Sequence, residues 1–492
     1  MWGNAVVVLL SVEGLRSEGD SSEFGVNDPV VRAACRRNPV RRVLAVLGAR
    51  AASVTDTSLK LRPRRDPVSA QEPPMLLPRP PSAPPSFHVM AKPTGAVCNL
   101  DCQYCFYLSR KSLYPGSRFR MGEDVLEAYV RQVIEGQSTP VVTIAWQGGE
   151  PTLMGLAFFR RAMALVERYR RPGQRIEHTI QTNGTLLTDE WAAFLAAQDV
   201  LVGISLDGPR ALHDAYRVDK RGGPTFDKVI RGLDHLRRHS VRYNILCTVH
   251  AANVAHPSDV YRFLRDDCSA SFIQFIPIVE HLPTPEDPEA TSDRSVDPSQ
   301  WGCFLVEVFD EWLAHDVGSV FVQTFEAALA SWMGLPASLC VFAETCGNAV
   351  ALEHNGDVYS CDHFVTPEHL LGNIRTTHLV ELVASERQRR FGQAKRDTLP
   401  RYCLDCDVLF ACWGECPKNR FVSTPDGEGG LNYLCEGYKA FFHHVDAPMR
   451  LMAGLLHSGR PAAEVTTALA KAPRNARRLR GVGHTDRAGH GR

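Results

Sequence analysis

No run of eighteen or more apolar residues occurs anywhere in this sequence, which argues against a membrane-spanning helix. Charge of one sign is also missing. Lys plus Arg and Asp plus Glu each number 55, so the molecule has no overall field suited to holding nucleic acid or an anionic membrane surface. The apolar stretch at 5–12 is short and no basic residue precedes it. A secretory signal needs a positive start and a small-residue cleavage site, so the expected location is the cytoplasm.

Cysteine, by contrast, is plentiful. Fifteen cysteines are many for an intracellular chain, and their spacing has to decide between disulfides, zinc and iron-sulfur clusters. With 492 residues, 44% of them hydrophobic, the chain can bury a full-sized core in two or three domains.

Residues 1–86 lack sustained periodicity and end in a proline-dense stretch at 63–85, the composition of an extended, disordered leader. From His88 onward, short β-rich runs alternate with amphipathic segments of helical length. The runs lie at 88–93, 141–146, 176–182, 201–206, 243–249 and 272–277, with helices expected near 122–135, 156–170, 188–197, 226–239 and 257–265. This rhythm predicts an α/β core, either a partial six-stranded barrel or a doubly wound parallel sheet, over 87–315. In both, catalytic groups belong in the loops at the carboxyl ends of the strands. The stretch at 283–298 reads as a surface connection and 301–315 as a helix. Residues 316–457 form a second, cysteine-rich domain whose few periodic runs call for bound metal rather than a large apolar core. An Arg-, Ala- and Gly-rich tail at 458–492 is expected to fray.

Cys98, Cys102 and Cys105 stand as C-N-L-D-C-Q-Y-C just past the first predicted strand. Three thiolates are one too few for a closed zinc site but suit a four-iron cluster with one iron open to an exchangeable ligand, although close cysteines also bind zinc. The C-x3-C-x2-C motif with Tyr104 before its last Cys resembles the signature of the radical S-adenosylmethionine (SAM) superfamily. That resemblance implies S-adenosylmethionine chelated to the open iron, in a partial (β/α)6 barrel. Other loops match the same pattern. By resemblance, Gly149 in W-Q-G-G-E-P contacts the methionine amino group, where paired glycines would let backbone approach a ligand closely. Ser205 in I-S-L-D-G-P is similar to the residue that bonds the ribose. Arg217 in H-D-A-Y-R is similar to the one whose guanidinium fork pairs with the methionine carboxylate. Tyr104 is assigned to the cofactor site with them, and Gln181, Thr182 and Asn183 are expected to line the same pocket without assigned roles.

Further along come Cys340, Cys346, Cys361, Cys403, Cys406, Cys412, Cys416 and Cys435. Eight thiolates suffice for two fully ligated four-iron clusters, or for two zinc sites of four. The run of G-x4-C at Gly356–Cys361, C-x2-C-x5-C-x3-C and one further Cys resembles the SPASM domain of radical enzymes that modify peptides and proteins. The resemblance implies one auxiliary cluster on Cys340, Cys346, Cys361 and Cys416, and a second on Cys403, Cys406, Cys412 and Cys435, giving three [4Fe-4S] clusters in all. Cys35, Cys247, Cys268 and Cys303 fit no ligand pattern and are read as structural.

Asp362 follows Cys361 directly. An Asp there can cap a turn, but in anaerobic sulfatase-maturating enzymes, which this pattern resembles, the residue in that place is held to take the target proton. His363 is then a candidate partner for Asp362. The implied reaction breaks S-adenosylmethionine to a 5′-deoxyadenosyl radical, which removes a hydrogen atom from the β carbon of a target Cys or Ser. Asp362 takes the thiol or hydroxyl proton, the remaining electron leaves through the auxiliary clusters, and the product is formylglycine. The implied partners are an unfolded sulfatase carrying Cys or Ser-x-Pro-x-Arg and a flavodoxin- or ferredoxin-type reductant, with neither nucleic acid nor membrane. A SPASM enzyme that crosslinks or epimerises a peptide is the main alternative, and a non-catalytic zinc scaffold the other.

Overall fold

Residues 80–471 are described by a computed structural model. The six anticipated strands are all present: β1 (His88–Lys92), β2 (Val141–Trp146), β3 (Arg175–Thr182), β4 (Val200–Ser205), β5 (Tyr243–Val249) and β6 (Phe272–Pro277). Each pairs in parallel with the next. The crossover helices are α1 (Glu123–Gly136), α2 (Leu156–Tyr169), α3 (Asp189–Ala197), α4 (Phe226–Arg238) and α5 (Pro257–Arg262). Each helix arises from local chemistry. In α1 the apolar stripe Val125, Leu126, Tyr129, Val130, Val133 and Ile134 is buried, the spacing that puts one face of a 3.6-residue helix on the sheet. Thr188 starts α3 by accepting a hydrogen bond from the Trp191 amide, which satisfies one of the orphan donors of the first turn.

The parallel sheet does not end where the predicted first domain does. On one side β7 (Phe321–Val322) pairs with β6. On the other, β8 (Ala349–Glu353) runs parallel to β1, and β9 (Asp357–Tyr359) and β10 (Leu370–Asn373) follow antiparallel. The result is one open ten-stranded sheet in the order β10-β9-β8-β1-β2-β3-β4-β5-β6-β7. The partial barrel and the cysteine-rich segment therefore share a sheet, and the described residues fall in a single compact unit.

Helices α6 (Pro298–His315), α7 (Gln323–Trp332), α8 (Glu386–Asp397), α9 (Cys435–His457) and α10 (Val465–Lys471) complete the chain. Asp297 caps α6 through the amides of Ser299 and Gln300, with Pro298 opening the helix. Phe309, Phe325 and Phe441 interlock α6, α7 and α9, with ring centroids 5.1 and 5.7 Å apart. Helix α10 corrects part of the expected tail. Val465 is fully buried and Thr466 Oγ1 donates to the Leu313 carbonyl at the end of α6, so the chain stays packed to the end of the described residues. Of the predicted leader, 1–79 lie outside the described residues, while 80–86 pack on the fold: the Pro85 carbonyl accepts from the Ser138 amide at 3.0 Å.

The α6–α9 crossing is closed by glycine. A Cβ on Gly302 would lie 2.8 Å from Gly437 Cα, and one on Gly437 would lie 2.1 Å from the Pro298 carbonyl oxygen. Gly302→Val is expected to cost about 1–3 kcal/mol by forcing the helices apart. Gly454→Ala, on the open side of α9 with nothing within 4 Å of the added carbon, should leave stability unchanged or raise it by up to about 1 kcal/mol. Thermal denaturation of the two variants checks both.

Candidate active site

All parallel strands β1 to β6 deliver their carboxyl ends to one face, and a cavity opens there. Cys98, Cys102 and Cys105 line it, together with Tyr104, Gly149, Ser205, Arg217 and Asp362. Gln181, Thr182 and Asn183 line it too. Every residue expected to bind the first cluster or the cofactor, and the expected base, thus meets at one site.

Arg217 is buried, and its Nη1 donates to the Tyr104 hydroxyl at 2.8 Å. Tyr104 in turn donates to Asp207, whose other oxygen accepts from the Thr248 amide at 3.0 Å and lies 3.8 Å from Arg217. Among the described residues, the Arg217 Nε, also buried, meets no hydrogen-bond partner. A buried orphan donor on a guanidinium is costly unless an acceptor arrives, and a ligand carboxylate is the acceptor its geometry suits. Ser205 Oγ is already engaged by Gln181 Nε2 at 2.9 Å and remains able to donate. The donor set therefore fits an amino-acid-bearing cofactor.

The glycine pair has a packing role within the fold. A Cβ on Gly149 would lie 2.0 Å from the Val97 carbonyl oxygen, and Gly148, at φ +117°, packs on the Gly95 carbonyl. Gly149 N donates to Gly95 O at 2.8 Å and Glu150 N to Val97 O at 3.0 Å. The glycines let the strand β2 loop lie flush against the cysteine loop, so the close approach is backbone to backbone.

The thiols themselves are buried. Desolvation pushes Cys98 up to about 12 and Cys102 up to about 11, so at neutral pH each stays protonated until a cation arrives. The other eight cysteines lie apart from this cavity. Cys340, Cys346 and Cys361 line a second cavity, and Cys416 lies near enough to Cys361 and Cys340 for their charges to reinforce the upward push of its burial. Cys403, Cys406, Cys412 and Cys435 line a third. Lys395, buried, donates to the Cys340 and Val341 carbonyls at 2.6 and 2.9 Å and bonds the Ala343 carbonyl as well, bracing the first of these sets. Cys247 and Cys268 lie in the hydrophobic core; Cys35 lies outside the described residues.

Asp362 opens a short helical turn (Asp362–Phe364) after Cys361 and is 1% exposed. Its Oδ1 is 2.5 Å from Lys92 Nζ. His363 lines the cavity, with its ring edge-on to Phe106 at 5.3 Å and Nδ1 3.6 Å from Cys416 Sγ. Sequence reasoning passed over Lys92, Gln147, Glu150 and Asp207. The last three sit inside the very motifs that were read, W-Q-G-G-E-P and I-S-L-D-G-P. Glu150, fully buried, accepts from both Thr152 and Thr182 hydroxyls and from the Asn183 amide, and so ties the ends of β2 and β3 together.

Three cysteines on the loop after β1, facing a cavity at the carboxyl ends of the parallel strands, with two further cysteine sets in the same chain, are the features of a radical SAM enzyme with an auxiliary iron-sulfur domain. The comparisons agree. Residues 93–264 match the Radical SAM superfamily profile, and 340–407 match SPASM, the iron-sulfur cluster-binding domain. The chain is 47% identical over 395 residues to the serine-type anaerobic sulfatase-maturating enzyme of Bacteroides thetaiotaomicron, covering 78% of this chain and 95% of that one. It is 32% identical over 364 residues to the cysteine-type enzyme of Clostridium perfringens, covering 73% and 96%. A solved structure of native anSMEcpe with bound AdoMet and Cp18Cys peptide superimposes with a TM-score of 0.68 at 32% identity, over 75% of this chain and 99% of that one. This chain belongs to the anaerobic sulfatase-maturating enzyme family.

Gly149→Ala is expected to displace the cysteine loop, because the new methyl collides with backbone that cannot swing aside. Loss of S-adenosylmethionine binding in equilibrium dialysis, with the iron of the two auxiliary sets retained, is the expected result.

Proposed function

We propose that this chain oxidises the target Ser or Cys of unfolded sulfatases, within Ser or Cys-x-Pro-x-Arg, to formylglycine, with Asp362 as the general base. For Ser the balance is simple. Removing one hydrogen atom from Cβ, one proton from the hydroxyl and one electron turns CH2–OH into CH=O. When bound, S-adenosylmethionine and the reduced first cluster supply the hydrogen-atom abstraction. Cys98, Cys102 and Cys105 would hold that cluster. Arg217, with its orphan Nε, would take the cofactor carboxylate, and Ser205 the ribose. Tyr104 would orient Arg217 through its hydroxyl, and Gly149 would complete the cofactor's cradle.

The observation that carries the reading is the shared cavity. Asp362 lines the same space as the first three cysteines while adjoining Cys361, one of the second set. A base so situated would take the proton at one wall of the cavity, next in sequence to a cysteine that would hold an electron-accepting cluster. Cys340, Cys346, Cys361 and Cys416 would hold one auxiliary cluster, and Cys403, Cys406, Cys412 and Cys435 the other. A Cys substrate yields a thioaldehyde that water converts to the same aldehyde. The higher identity to the serine-type relative favours Ser as the better substrate. The reading includes a cytoplasmic location and a flavodoxin- or ferredoxin-type reductant. Among the described residues no helix is long and apolar enough to cross a membrane.

Two outcomes are expected. Anaerobically purified protein should carry about twelve iron, and the Cys98, Cys102 and Cys105 triple Ala variant about eight. Reduced enzyme with S-adenosylmethionine should convert Ser- and Cys-x-Pro-x-Arg peptides to the aldehyde, read by mass. Asp362→Asn should keep its iron and cofactor cleavage but lose about 10²–10⁴-fold in product formation; full product formation by that variant would remove Asp362 from the mechanism.

A further inference from the structure

Asp362 comes from the cysteine-rich segment, but what holds its carboxylate comes from the barrel. Lys92, the last residue of β1, puts Nζ 2.5 Å from Asp362 Oδ1, with the two side chains 2% and 1% exposed. Among the described residues, no donor at hydrogen-bonding angle meets either carboxylate oxygen. The ammonium is therefore the group that restrains the carboxylate. Lys92 is itself fixed on three sides. Its Nζ donates to Gln147 Oε1 at 2.9 Å and sits 4.4 Å over the Tyr107 ring, and Tyr107 donates to Glu353. Gly148, held to glycine by its φ of +117° and by a Cβ position 2.9 Å from the Gly95 carbonyl oxygen, packs on the Lys92 backbone, with that Cβ position 3.3 Å from Lys92 Cα.

A lysine ammonium is a point charge on a flexible stem, and buried lysines are rare without a partner. Here the stem is clamped, so the charge occupies one position and fixes the carboxylate against the cavity wall. We infer that Lys92 is the positioning residue for Asp362, setting where the base meets the substrate hydroxyl or thiol. The inference rests on Asp362 acting as the base. It adds that the base is aimed by the barrel rather than by its own segment.

The step affected is proton removal, which follows hydrogen-atom abstraction, and the two can be read separately. A peptide deuterated at the target β carbon passes deuterium into 5′-deoxyadenosine when abstraction occurs. Lys92→Met should retain iron, S-adenosylmethionine affinity, peptide KM and deuterium transfer, while kcat for formylglycine falls at least about 100-fold. Lys92→Arg should recover at least about tenfold of that loss, because it restores the charge. Product formation by Lys92→Met near the wild-type rate overturns the inference, as does parallel loss of abstraction and product. If Lys92→Met loses its iron, adding Asp362→Asn removes the stranded carboxylate and should return it; a double variant still without iron also overturns the inference. Asp362→Asn alone separates the two readings. If it keeps product formation, both fall; if it loses product while Lys92→Met keeps it, only the role of Lys92 falls.

Discussion

Everything at this site depends on β1 being paired on both edges. Its five residues stand opposite β8 from His88↔Ala349 to Lys92↔Glu353, while Met90 and Ala91 face Ala145 and Trp146 of β2. Because both pairings are parallel, β1, β2 and β8 point the same way. The cysteine loop that follows β1 and the turn bearing Cys361 and Asp362, reached after β8 and β9, thereby come to one cavity. A slip of one residue in the β1–β8 register would turn alternate side chains to the other face, and Lys92 would no longer point at Asp362. The two sequence segments meet through a backbone ladder, and the chemistry inherits that precision.

The cysteine cavities carry an electrostatic cost that the protein alone does not relieve. Burial pushes Cys346 up to about 11 and Cys361, Cys412 and Cys435 up to about 12. Lys395 lies beside Cys346 and Arg420 beside Cys403, and each favours the thiolate, yet desolvation outweighs them. Those cations are desolvated too, so burial draws both Lys395 and Arg420 downward. On the proposed reading the sets would be completed by metal, and the free energy of binding it would become part of the folding free energy of this segment. The segment is not without apolar support, since Phe325, Phe342, Leu352, Phe441 and Met449 join the main hydrophobic core, alongside the small cluster of Leu399, Cys403 and Leu431.

Much of this was legible before any coordinates. The six strands were readable because runs such as V-V-T-I-A-W and Y-N-I-L-C-T-V are rich in β-branched and aromatic residues and end in turn signals. The division of eight thiols into two sets followed a pattern with family resemblance; one cavity is lined by Cys340, Cys346 and Cys361 and another by Cys403, Cys406, Cys412 and Cys435, while Cys416 lines neither. The strands β8, β9 and β10 were not legible, since segments of three to five residues carry almost no periodic signal, and the ladder they form joins the parallel sheet only through the pairing of β8 with β1, some 260 residues earlier in the sequence. Helix α10 was missed because composition alone marked the tail, whereas one buried valine was enough to dock it. Lys92 was invisible for a further reason: a single lysine at a strand end looks like any solvated charge, and only a carboxylate from a distant segment gives it meaning.

That same lysine bears on why a buried pair persists at all. Removing two charges from water costs several kcal/mol per ion, and well-packed apolar replacements for buried pairs are often as stable or more so. Stability therefore does not account for Lys92 and Asp362, since Val89, on the strand that carries Lys92, is fully buried and shows that apolar residues pack readily there. On the proposed reading, what an apolar pair would lack is an acceptor for the substrate proton, and the lysine is what would let a carboxylate remain there in one orientation. The energetic penalty of the pair would then fall where the reaction needs charge, beside the glycine-lined contact between the β2 loop and the cysteine loop.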